Sequence, residues 1–489
     1  MMQYKFLYRL SFVCAAIIAI ATVSGCYKDK GNYAYTTIAA PVVSHLDSIY
    51  NVYVGDSLVV KPVVTLPGVD NPNLSFQWTI EVPPISPADT NLVFTGNELH
   101  IVFGLGPQKY LVRFAITNND NGMKYFHDFI INGQTAFSMG TTVLTDENGV
   151  TQVSFIKPDD SVQPRIYQAV NPGEELPGNP AQILAIPVAY QPPIQSYWVF
   201  GKSGENTGVE IDANTFKKIE YLRDNFFSAP DTALIPQNMF VDPLGVLSGV
   251  INGVLYSGTT STWNEAPTYG MFDAGATGDY ECSPEMVFNY TGTYGPGNFV
   301  GFDINRKQFL RFNLYGAATY FGTQYQVIND SLFNPTDLKM DLVHLQQING
   351  GLCYAYCKAP DNDTLYELEF NAEFNGPFQI TNMLKRPFAH PELITAATKW
   401  QATQNGIIYF NYQDKVYRYN PTNQDFRTVS AGFGGKTVTM VKVLDQNTLT
   451  VGVDGSIYYL DISTGKYGTL IKKIDGLPGK VIDMAYRAQ

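Results

Sequence analysis

The residue with the most specific chemistry in this sequence is a cysteine near the N-terminus. Cys26 directly follows the small residues 23–25 (Val-Ser-Gly), which come after an apolar run at residues 10–20 and the basic Lys5 and Arg9. A basic start, an apolar core and small residues before a cleavage site indicate a secretory signal peptide. The core is shorter than the roughly 20 apolar residues of a membrane-spanning helix. A thiol after Ser-Gly is where bacterial lipoprotein signals place the lipid acceptor, so we expect a signal peptide over residues 1–25 and lipidation of Cys26.

Other residue types capable of catalysis do not show catalytic spacing. The sequence lacks Gly-x-Ser-x-Gly, and its histidines lack a metal-site spacing such as His-Glu-x-x-His. Residues 201–204 (Gly-Lys-Ser-Gly) resemble part of a phosphate-binding loop but lack the preceding glycine and the following helix, so they predict a hairpin turn. Residues 361–363 (Asp-Asn-Asp) lack the glycine and the distant glutamate of a calcium loop and predict a solvated turn. We therefore expect no metal, no cofactor and no catalytic residues.

Aromatic side chains are concentrated with glycine in residues 257–325. Flat aromatic faces stack on sugar rings or hold peptide side chains at a low entropic cost. The alternative is that these rings only pack the interior of the fold. The candidate ligand-binding residues are Trp263, Tyr269, Tyr280, Tyr294 and Tyr320.

The composition favours an all-β protein and argues against nucleic-acid binding. Among 489 residues there are 32 Tyr and 30 Phe, and only 16% of the residues are charged. Aromatic residues favour strands. The formal net charge is −12, and loss of two basic residues with the signal peptide would make it −14. An acidic protein repels phosphate backbones.

Three cysteines remain after residue 26: Cys282, Cys353 and Cys357. Cys353 and Cys357 lie four residues apart in one predicted strand, a spacing that does not suit a disulfide within the strand. The prediction is buried free thiols. A bridge from Cys282 to one of the other two is the alternative.

The N-terminal part of the mature chain predicts a β-sandwich. Residues 26–40 are polar and turn-prone, as expected for a lipidated tether. Residues 41–133 contain about seven short alternating strands, with Trp78 in the third and a hairpin signal (Asn-Asn-Asp-Asn-Gly) at residues 118–122. This pattern fits an immunoglobulin-like sandwich in which Trp78 lies in the core.

Residues 134–489 contain a repeating unit: an apolar strand, a turn with Asp or Asn, and an aromatic residue that starts the next strand. The anchors of this unit fall near residues 146, 212, 252, 303, 371, 420 and 461. Propeller blades repeat at about 40–50 residues, and larger gaps indicate loop insertions. We predict a β-propeller of about seven blades, with six or eight also compatible. A second β-sandwich is the alternative.

The chain resembles the PKD-like family lipoproteins of Bacteroidetes. The resemblance lies in residues 26–35 (Cys-Tyr-Lys-Asp-Lys-Gly-Asn-Tyr-Ala-Tyr) and 143–149 (Val-Leu-Thr-Asp-Glu-Asn-Gly). Residues 136–140 (Ala-Phe-Ser-Met-Gly) depart from the Gly-Trp pair expected there. The resemblance implies an outer-membrane, surface-exposed accessory protein of TonB-dependent SusC/SusD-type importers, with no defined catalytic residues to transfer.

The resulting expectation is a lipid-anchored protein that binds or presents a glycan or peptide to an importer without catalysis. A tethered binder would raise the local ligand concentration. Two alternatives remain: a propeller glycan hydrolase or lyase, which would require converging carboxylates or histidines, and a structural subunit that bridges importer components.

Overall fold

The structure is a computed structural model that describes residues 39–82, 90–188, 194–262, 267–289, 297–315, 317–373 and 377–488. It is all-β apart from the short helix α1 (Ile166–Val170) and a 3₁₀ turn (Pro391–Leu393). Within these residues, none of the helices has the length and apolarity to cross a membrane. The chain forms two compact units. The first comprises the described parts of residues 1–50, 57–101 and 110–131, and the second comprises 51–56, 102–109 and the described parts of 132–489.

Within the described residues before 135, nine strands form a five-stranded sheet in the order β2-β9-β8-β5-β6 and two strand pairs, β1-β4 and β3-β7. They are β1 Val42–Ser44, β2 Ile49–Tyr53, β3 Ser57–Val60, β4 Val63–Thr65, β5 Leu74–Ile80, β6 Leu92–Thr95, β7 Leu99–Val102, β8 Lys109–Asn118 and β9 Lys124–Gln134. Trp78 is fully buried, as predicted, and its ring stacks on Phe114 at 4.1 Å. Its indole N–H donates to the Gly96 carbonyl at 2.8 Å, which satisfies the buried donor.

The predicted hairpin at residues 118–122 is confirmed. The Gly122 N–H donates to the Asn118 carbonyl at 2.8 Å, and the Asn118 side chain accepts from the Asp120 N–H at 3.0 Å. Gly122 has a φ of 73°, which glycine adopts without a steric cost. Strands β8 and β9 leave this turn as neighbours in the five-stranded sheet.

The second unit is a propeller of seven blades. Apart from one outer strand of blade 5, neighbouring strands in each blade pair antiparallel. Blades 2 to 4 are built from consecutive strands, and Phe272 takes the outermost position of blade 3 through a bridge to Gly258. Their strands are β13 Gly178–Pro187, β14 Ile194–Ser203, β15 Gly208–Asp212 and β16 Lys218–Tyr221 (blade 2); β17 Pro236–Val241, β18 Leu247–Ile251 and β19 Val254–Ser257 (blade 3); and β20 Val287–Asn289, β21 Gly297–Asp303, β22 Gln308–Tyr315 and β23 Ala317–Gly322 (blade 4).

Blades 5 and 6 continue the pattern, and blade 5 gains an outer parallel strand, β24. Their strands are β24 Gln326–Ile328, β25 Asp341–Asn349, β26 Leu352–Lys358, β27 Leu365–Glu373 and β28 Gln379–Pro387 (blade 5), and β29 Trp400–Ala402, β30 Ile408–Tyr412, β31 Lys415–Asn420 and β32 Asp425–Thr428 (blade 6).

Blades 7 and 1 share one six-stranded sheet, because the last strand passes from one blade into the other. These strands are β10 Gly140–Glu147, β11 Val150–Ile156, β12 Val162–Gln163, β33 Met440–Asp445, β34 Thr448–Asp461 and β35 Thr469–Arg487. Residues 469–475 of β35 pair with β34 in blade 7, whereas residues 481–487 pair with β10 and become the innermost strand of blade 1. A strand from the end of the propeller thus closes the ring onto its first blade.

Seven clusters of buried apolar side chains within the described part of this unit follow the same ring. Each cluster draws its members from two neighbouring blades, from blades 1 and 2 around to blades 7 and 1. The closing cluster joins Val143 of blade 1 and Ile457 of blade 7 to Val481 and Met484 of the shared strand. Burial of such surfaces is the main stabilising contribution to the fold. The seven clusters between neighbouring blades confirm the prediction of about seven blades.

The turns at the repeat anchors have a common local cause. Asp212 Oδ1 accepts from the Asn214 N–H at 2.9 Å and the Thr215 N–H at 2.8 Å, and Asp303 and Asp461 cap their turns in the same way. Asp and Asn side chains favour turns because they bond the backbone two or three residues on. The repeat detected in the sequence is therefore a turn signature.

Candidate functional site

The structure describes three of the five predicted ligand-binding aromatics. Trp263 and Tyr294 lie outside the described residues, as does Cys26. The Tyr269 hydroxyl donates to the Leu244 carbonyl at 2.9 Å in blade 3.

Tyr280 and Tyr320 form a packed pair beside the cluster between blades 3 and 4. Their rings stack at 4.8 Å with an angle of 17°. The Tyr280 hydroxyl donates to the Ala276 carbonyl at 2.7 Å and accepts from the Leu255 N–H at 3.3 Å. Burial raises the pKa of both tyrosines. These two rings therefore contact each other and the blades, and Tyr269 lies in a separate part of blade 3.

A pocket of about 370 Å³ lies where blade 7 meets blade 1. This volume is within the range of about 300–1,000 Å³ usual for small-molecule sites. Its wall comes from both ends of the propeller sequence: Met139 and Thr141 from blade 1, Tyr459 and Ile471 from blade 7, and Tyr486 from the shared strand. No local motif marks these residues, since only ring closure brings them together.

The apolar part of this pocket is unusually accessible. Tyr486 is 50% exposed and Ile471 is 55% exposed, and Met139 is exposed as well. Thr141 lies directly opposite Tyr486 in the strand register, but it is buried and its side chain bonds Tyr459. The exposed Tyr486 ring can cover an apolar face of a ligand.

Charged groups form the other side of the pocket. Lys472 Nζ contacts Asp160 Oδ1 at 2.5 Å and lies 4.8 Å from the centre of the Tyr459 ring. Burial raises the pKa of Tyr459, so its hydroxyl stays protonated at neutral pH. The pocket thus combines an aromatic platform, an ammonium and a carboxylate, a set suited to binding a polar ligand with an apolar face.

The innermost strands of the blades, which we call the channel wall, are joined by side-chain hydrogen bonds. Asp483 Oδ2 in blade 1 accepts from the Ile183 N–H of blade 2 at 3.0 Å. Gln182 then bonds both the N–H and the carbonyl of Met239 in blade 3, at 3.1 and 2.9 Å. Asn238 donates to the Pro284 carbonyl next to blade 4 at 2.9 Å. These bonds tie the innermost strands of blades 1 to 3 to their neighbours.

A histidine–glutamate pair lies in the same wall between blades 4 and 5. His344 Nδ1 is 2.8 Å from Glu285 Oε2, and His344 Nε2 is 3.3 Å from Gln346 Oε1. The imidazole also stacks on Trp400 at 4.8 Å. Although burial acts to raise it, the pKa of Glu285 is lowered by the contact with His344. Both ring nitrogens have partners, so the pair holds neighbouring blades together and offers no free base.

The remaining groups with possible chemistry in the described part of the chain are the thiols and the side chains that could bind a metal. Cys282, Cys353 and Cys357 are free and buried, which confirms the prediction of free thiols. Burial raises the pKa of Cys282 to about 12, so a reactive thiolate is not available. Among the described residues, no group of His, Cys, Asp and Glu is arranged to hold a metal ion.

Comparison with protein families gives one match. Residues 26–180 match the model of the PKD-like family, which covers the N-terminal part of the chain and the first strands of the propeller. No curated protein is significantly similar to this sequence.

Several solved structures are similar at low identity. A quinonprotein alcohol dehydrogenase-like protein from Bacteroides thetaiotaomicron is 13% identical with a TM-score of 0.35, over 90% of this chain and 97% of that one. The extracellular domain of a protein assigned to a one-component system of B. thetaiotaomicron is 10% identical with a TM-score of 0.37, over 78% of this chain and 57% of that one. A Bacteroides caccae protein of unknown function is 11% identical with a TM-score of 0.32, over 60% of this chain and 100% of that one. Likeness at this level carries no argument about activity.

Proposed function

We propose that this protein is a lipid-anchored, surface-exposed outer-membrane protein that binds a glycan or peptide for a TonB-dependent SusC/SusD-type importer. The signal-like N-terminus with Cys26 supports the anchor, and the PKD-like match over residues 26–180 supports the family setting. Two or more acyl chains on one cysteine hold a protein stably on a membrane. The propeller then presents its binding surfaces near the importer.

The observation that carries the binding role is the pocket between blades 7 and 1. Its half-exposed Tyr486 and its Lys472–Asp160 pair offer stacking and charged hydrogen bonds together. Ligand sites combine an apolar surface with a few placed polar groups in this way. Aromatic side chains left half-exposed in a concave surface favour a ligand over a purely internal packing role.

Among the described residues, the His344–Glu285 pair is the feature that would favour the alternative of a propeller hydrolase or lyase. Its geometry argues against a catalytic base, because Gln346 and Glu285 occupy both nitrogens of the ring and Trp400 covers one face. We therefore propose binding without turnover.

The binding role is tested with the full chain, purified in detergent, against panels of glycans and peptides. Tyr486→Ala should weaken binding of the recognised compound at least about tenfold, because it removes the aromatic platform. Tyr467→Ala is the matched control, since Tyr467 is also exposed and lies in blade 7 outside the pocket. Equal loss in both variants, or none in Tyr486→Ala, would rule out the pocket as the site.

The importer role is tested by affinity purification from detergent-solubilised outer membrane of the native host. Recovery of a TonB-dependent importer with its lid lipoprotein would support the accessory role. Recovery of the importer with no ligand found would support the bridging-subunit alternative. Recovery of the protein alone, with turnover of a polymer, would support the enzyme.

A further inference from the structure

The pocket between blades 7 and 1 has an apolar side that solvent reaches. Met139, Ile471 and Tyr486 all line it, and each of these side chains is more than a third exposed. Ile156 and Leu444 add further apolar surface to the wall. Covering exposed apolar surface is favourable in proportion to the area removed from water. A ligand that fits this pocket should therefore carry an apolar group.

A β-bulge in the outermost strand of blade 7 turns Ile471 toward the pocket. Leu460 pairs with Leu470, whereas Tyr459 pairs with Lys472, so Ile471 is the extra residue between the two pairs. Successive side chains of a regular strand point to opposite faces, yet Ile471 and Lys472 both line the pocket. Bulges re-aim side chains in this way next to functional sites. The bulge thus places an apolar side chain and an ammonium on the same wall.

The turn after β11 in blade 1 brings a second lysine to the pocket. The Lys157 carbonyl accepts from the Asp160 N–H at 2.9 Å, and the Lys157 N–H donates to the Ser161 carbonyl at 2.9 Å, which fixes the turn. Asp160 binds Lys472 at 2.5 Å, and Asp159 Oδ1 accepts from the Ser161 N–H and hydroxyl. Within the described part of the chain, no carboxylate forms an ion pair with the Lys157 ammonium.

The charges on the pocket wall favour an anionic ligand. Lys157 and Lys472 against Asp160 leave one positive charge in excess, in a chain whose net charge is −12. A carboxylate that reaches an ammonium forms a charge-assisted hydrogen bond, about twice as strong as a neutral one. Because Ile471 and Lys472 are consecutive, the ligand should carry its carboxylate close to its apolar group.

A peptide satisfies these conditions better than a sugar. Each hydroxyl that a sugar buries needs a hydrogen-bond partner. Among the described residues that line the pocket there are two threonines and no amide side chain, and Thr141 is buried and already bonds Tyr459. Residues 469–475 pair with β34 on one side, and no described strand pairs with their other side. This free edge offers backbone groups to the main chain of an extended peptide.

We infer that the pocket between blades 7 and 1 binds a peptide through an apolar side chain and a neighbouring carboxylate. The inference rests on the proposed binding role of this pocket and names the class of its ligand. The apolar side chain covers Ile471 and Tyr486, the carboxylate bonds Lys157, and the peptide backbone follows the free edge of residues 469–475.

The test is isothermal titration calorimetry of the full chain, purified in detergent, with peptides acetyl-Ala-Glu-x-Ala-amide in which x is Phe, Leu, Met or Tyr. Two matched peptide sets carry glutamine in place of the glutamate or serine in place of x, and digalacturonate is the acidic sugar. We expect a glutamate peptide to bind and its glutamine and serine counterparts to bind at least about tenfold more weakly. Salt should weaken binding of the glutamate peptide more than that of the glutamine peptide.

Pocket variants show which group of the peptide each side chain contacts. Lys157→Met should weaken the glutamate peptide to the level of the glutamine peptide and leave the glutamine peptide unchanged, because both changes remove the same ion pair. Ile471→Ser should likewise weaken the glutamate peptide and leave the serine peptide unchanged. Lys466→Met is the matched control, since Lys466 carries the same charge at an exposed position of blade 7 outside the pocket. Thermal unfolding of each variant checks that it is folded.

Failure of this inference differs from failure of the proposed function. Digalacturonate binding that Tyr486→Ala abolishes, with no peptide bound, would overturn the peptide inference and leave the pocket as a glycan site. Equal binding of glutamate and glutamine peptides, or an equal effect of Lys157→Met on both, would also overturn it. Peptide binding that neither Tyr486→Ala nor Ile471→Ser weakens would contradict both the inference and the pocket itself. No peptide binding by the wild-type chain would overturn the inference as well.

Discussion

Two glutamates face each other on the outer strands of blade 2 and should make this protein less stable as the pH rises. Glu210 in β15 lies directly opposite Glu220 in β16. Burial, followed by repulsion from Glu210 and Asp224, raises the pKa of Glu220 from its ordinary value of 4.5 to about 7. Like charges directly opposite in a sheet are destabilising.

The direction of the pKa change sets the sign of the dependence of stability on pH. The Glu220 pKa is higher in the folded protein than in the unfolded chain, so folding favours the protonated carboxyl. The contribution of Glu220 to stability is fully present below about pH 4.5. It is lost as the pH rises toward about 7, and it changes little above that pH. A difference between 4.5 and about 7 corresponds to about 3 kcal/mol if fully expressed. Because Glu220 is only partly buried, screening by solvent reduces the expected effect to about 1–2 kcal/mol.

Glu220→Gln removes the titrating group at nearly constant shape. At pH 8 the variant should be more stable than the wild type by about 1–2 kcal/mol, or about 2 °C in the melting temperature of a unit of this size. At pH 4 the two should melt together. The measurement is thermal unfolding of both proteins from pH 4 to pH 8, followed by circular dichroism.

Glu205→Gln is the matched control, since it removes the same charge from an exposed position in the β14–β15 turn of the same blade. Its melting temperature should follow that of the wild type at every pH. A Glu220→Gln variant that differs from the wild type equally at pH 4 and pH 8 would refute the role of the facing carboxylates.

Two further predictions concern buried polar and sulfur groups. Arg386 Nε lies 2.8 Å from the fully buried carboxylate of Glu367, so Arg386→Met leaves that carboxylate without its cation and should destabilise the propeller by about 3–5 kcal/mol in urea unfolding. The double variant with Glu367→Leu should recover much of this loss, and no recovery would contradict this account. The buried cysteines Cys282, Cys353 and Cys357 should stay unmodified when the native chain is treated with a thiol label, and all three should react in denaturant. Peptide mass spectrometry measures the labelling, and modification of the native chain would contradict the prediction.

The seven turn anchors read from the sequence fall one in each blade, which is why the blade count was predictable. They are not equivalent positions, however. The anchors at residues 146, 252, 303 and 461 lie between the second and third strands of their blades, whereas those at 212, 371 and 420 lie near the end of the third strand. An Asp- or Asn-capped turn is a local signal, and it does not specify which of two outer hairpins it closes.

The candidate sites depend on contacts that no local pattern encodes. Aromatic density in residues 257–325 drew attention to tyrosines, but Tyr280 and Tyr320 stack on each other. The exposed Tyr486 stands in the closing strand, far in sequence from Thr141 opposite it. Such convergence is a property of the topology, and periodicity and composition do not report it.

Ring closure itself should be the cooperative step of this propeller, and it can be tested at the shared strand. Residues 481–487 supply Val481 and Met484 to the cluster between blades 7 and 1 and Ala485 to the cluster between blades 1 and 2. A chain truncated after Gly479 loses all three and leaves β10 with an unpaired inner edge. Since two core clusters open at once, we expect this chain to unfold at a lower temperature and over a broader range, and to bind a hydrophobic dye. The control is Ile482→Val, a conservative change in the same strand, for which about 1 kcal/mol of destabilisation is expected. Unfolding of the truncated chain as sharp as that of the full one would mean that each blade pair is stable by itself, and that closure only joins them.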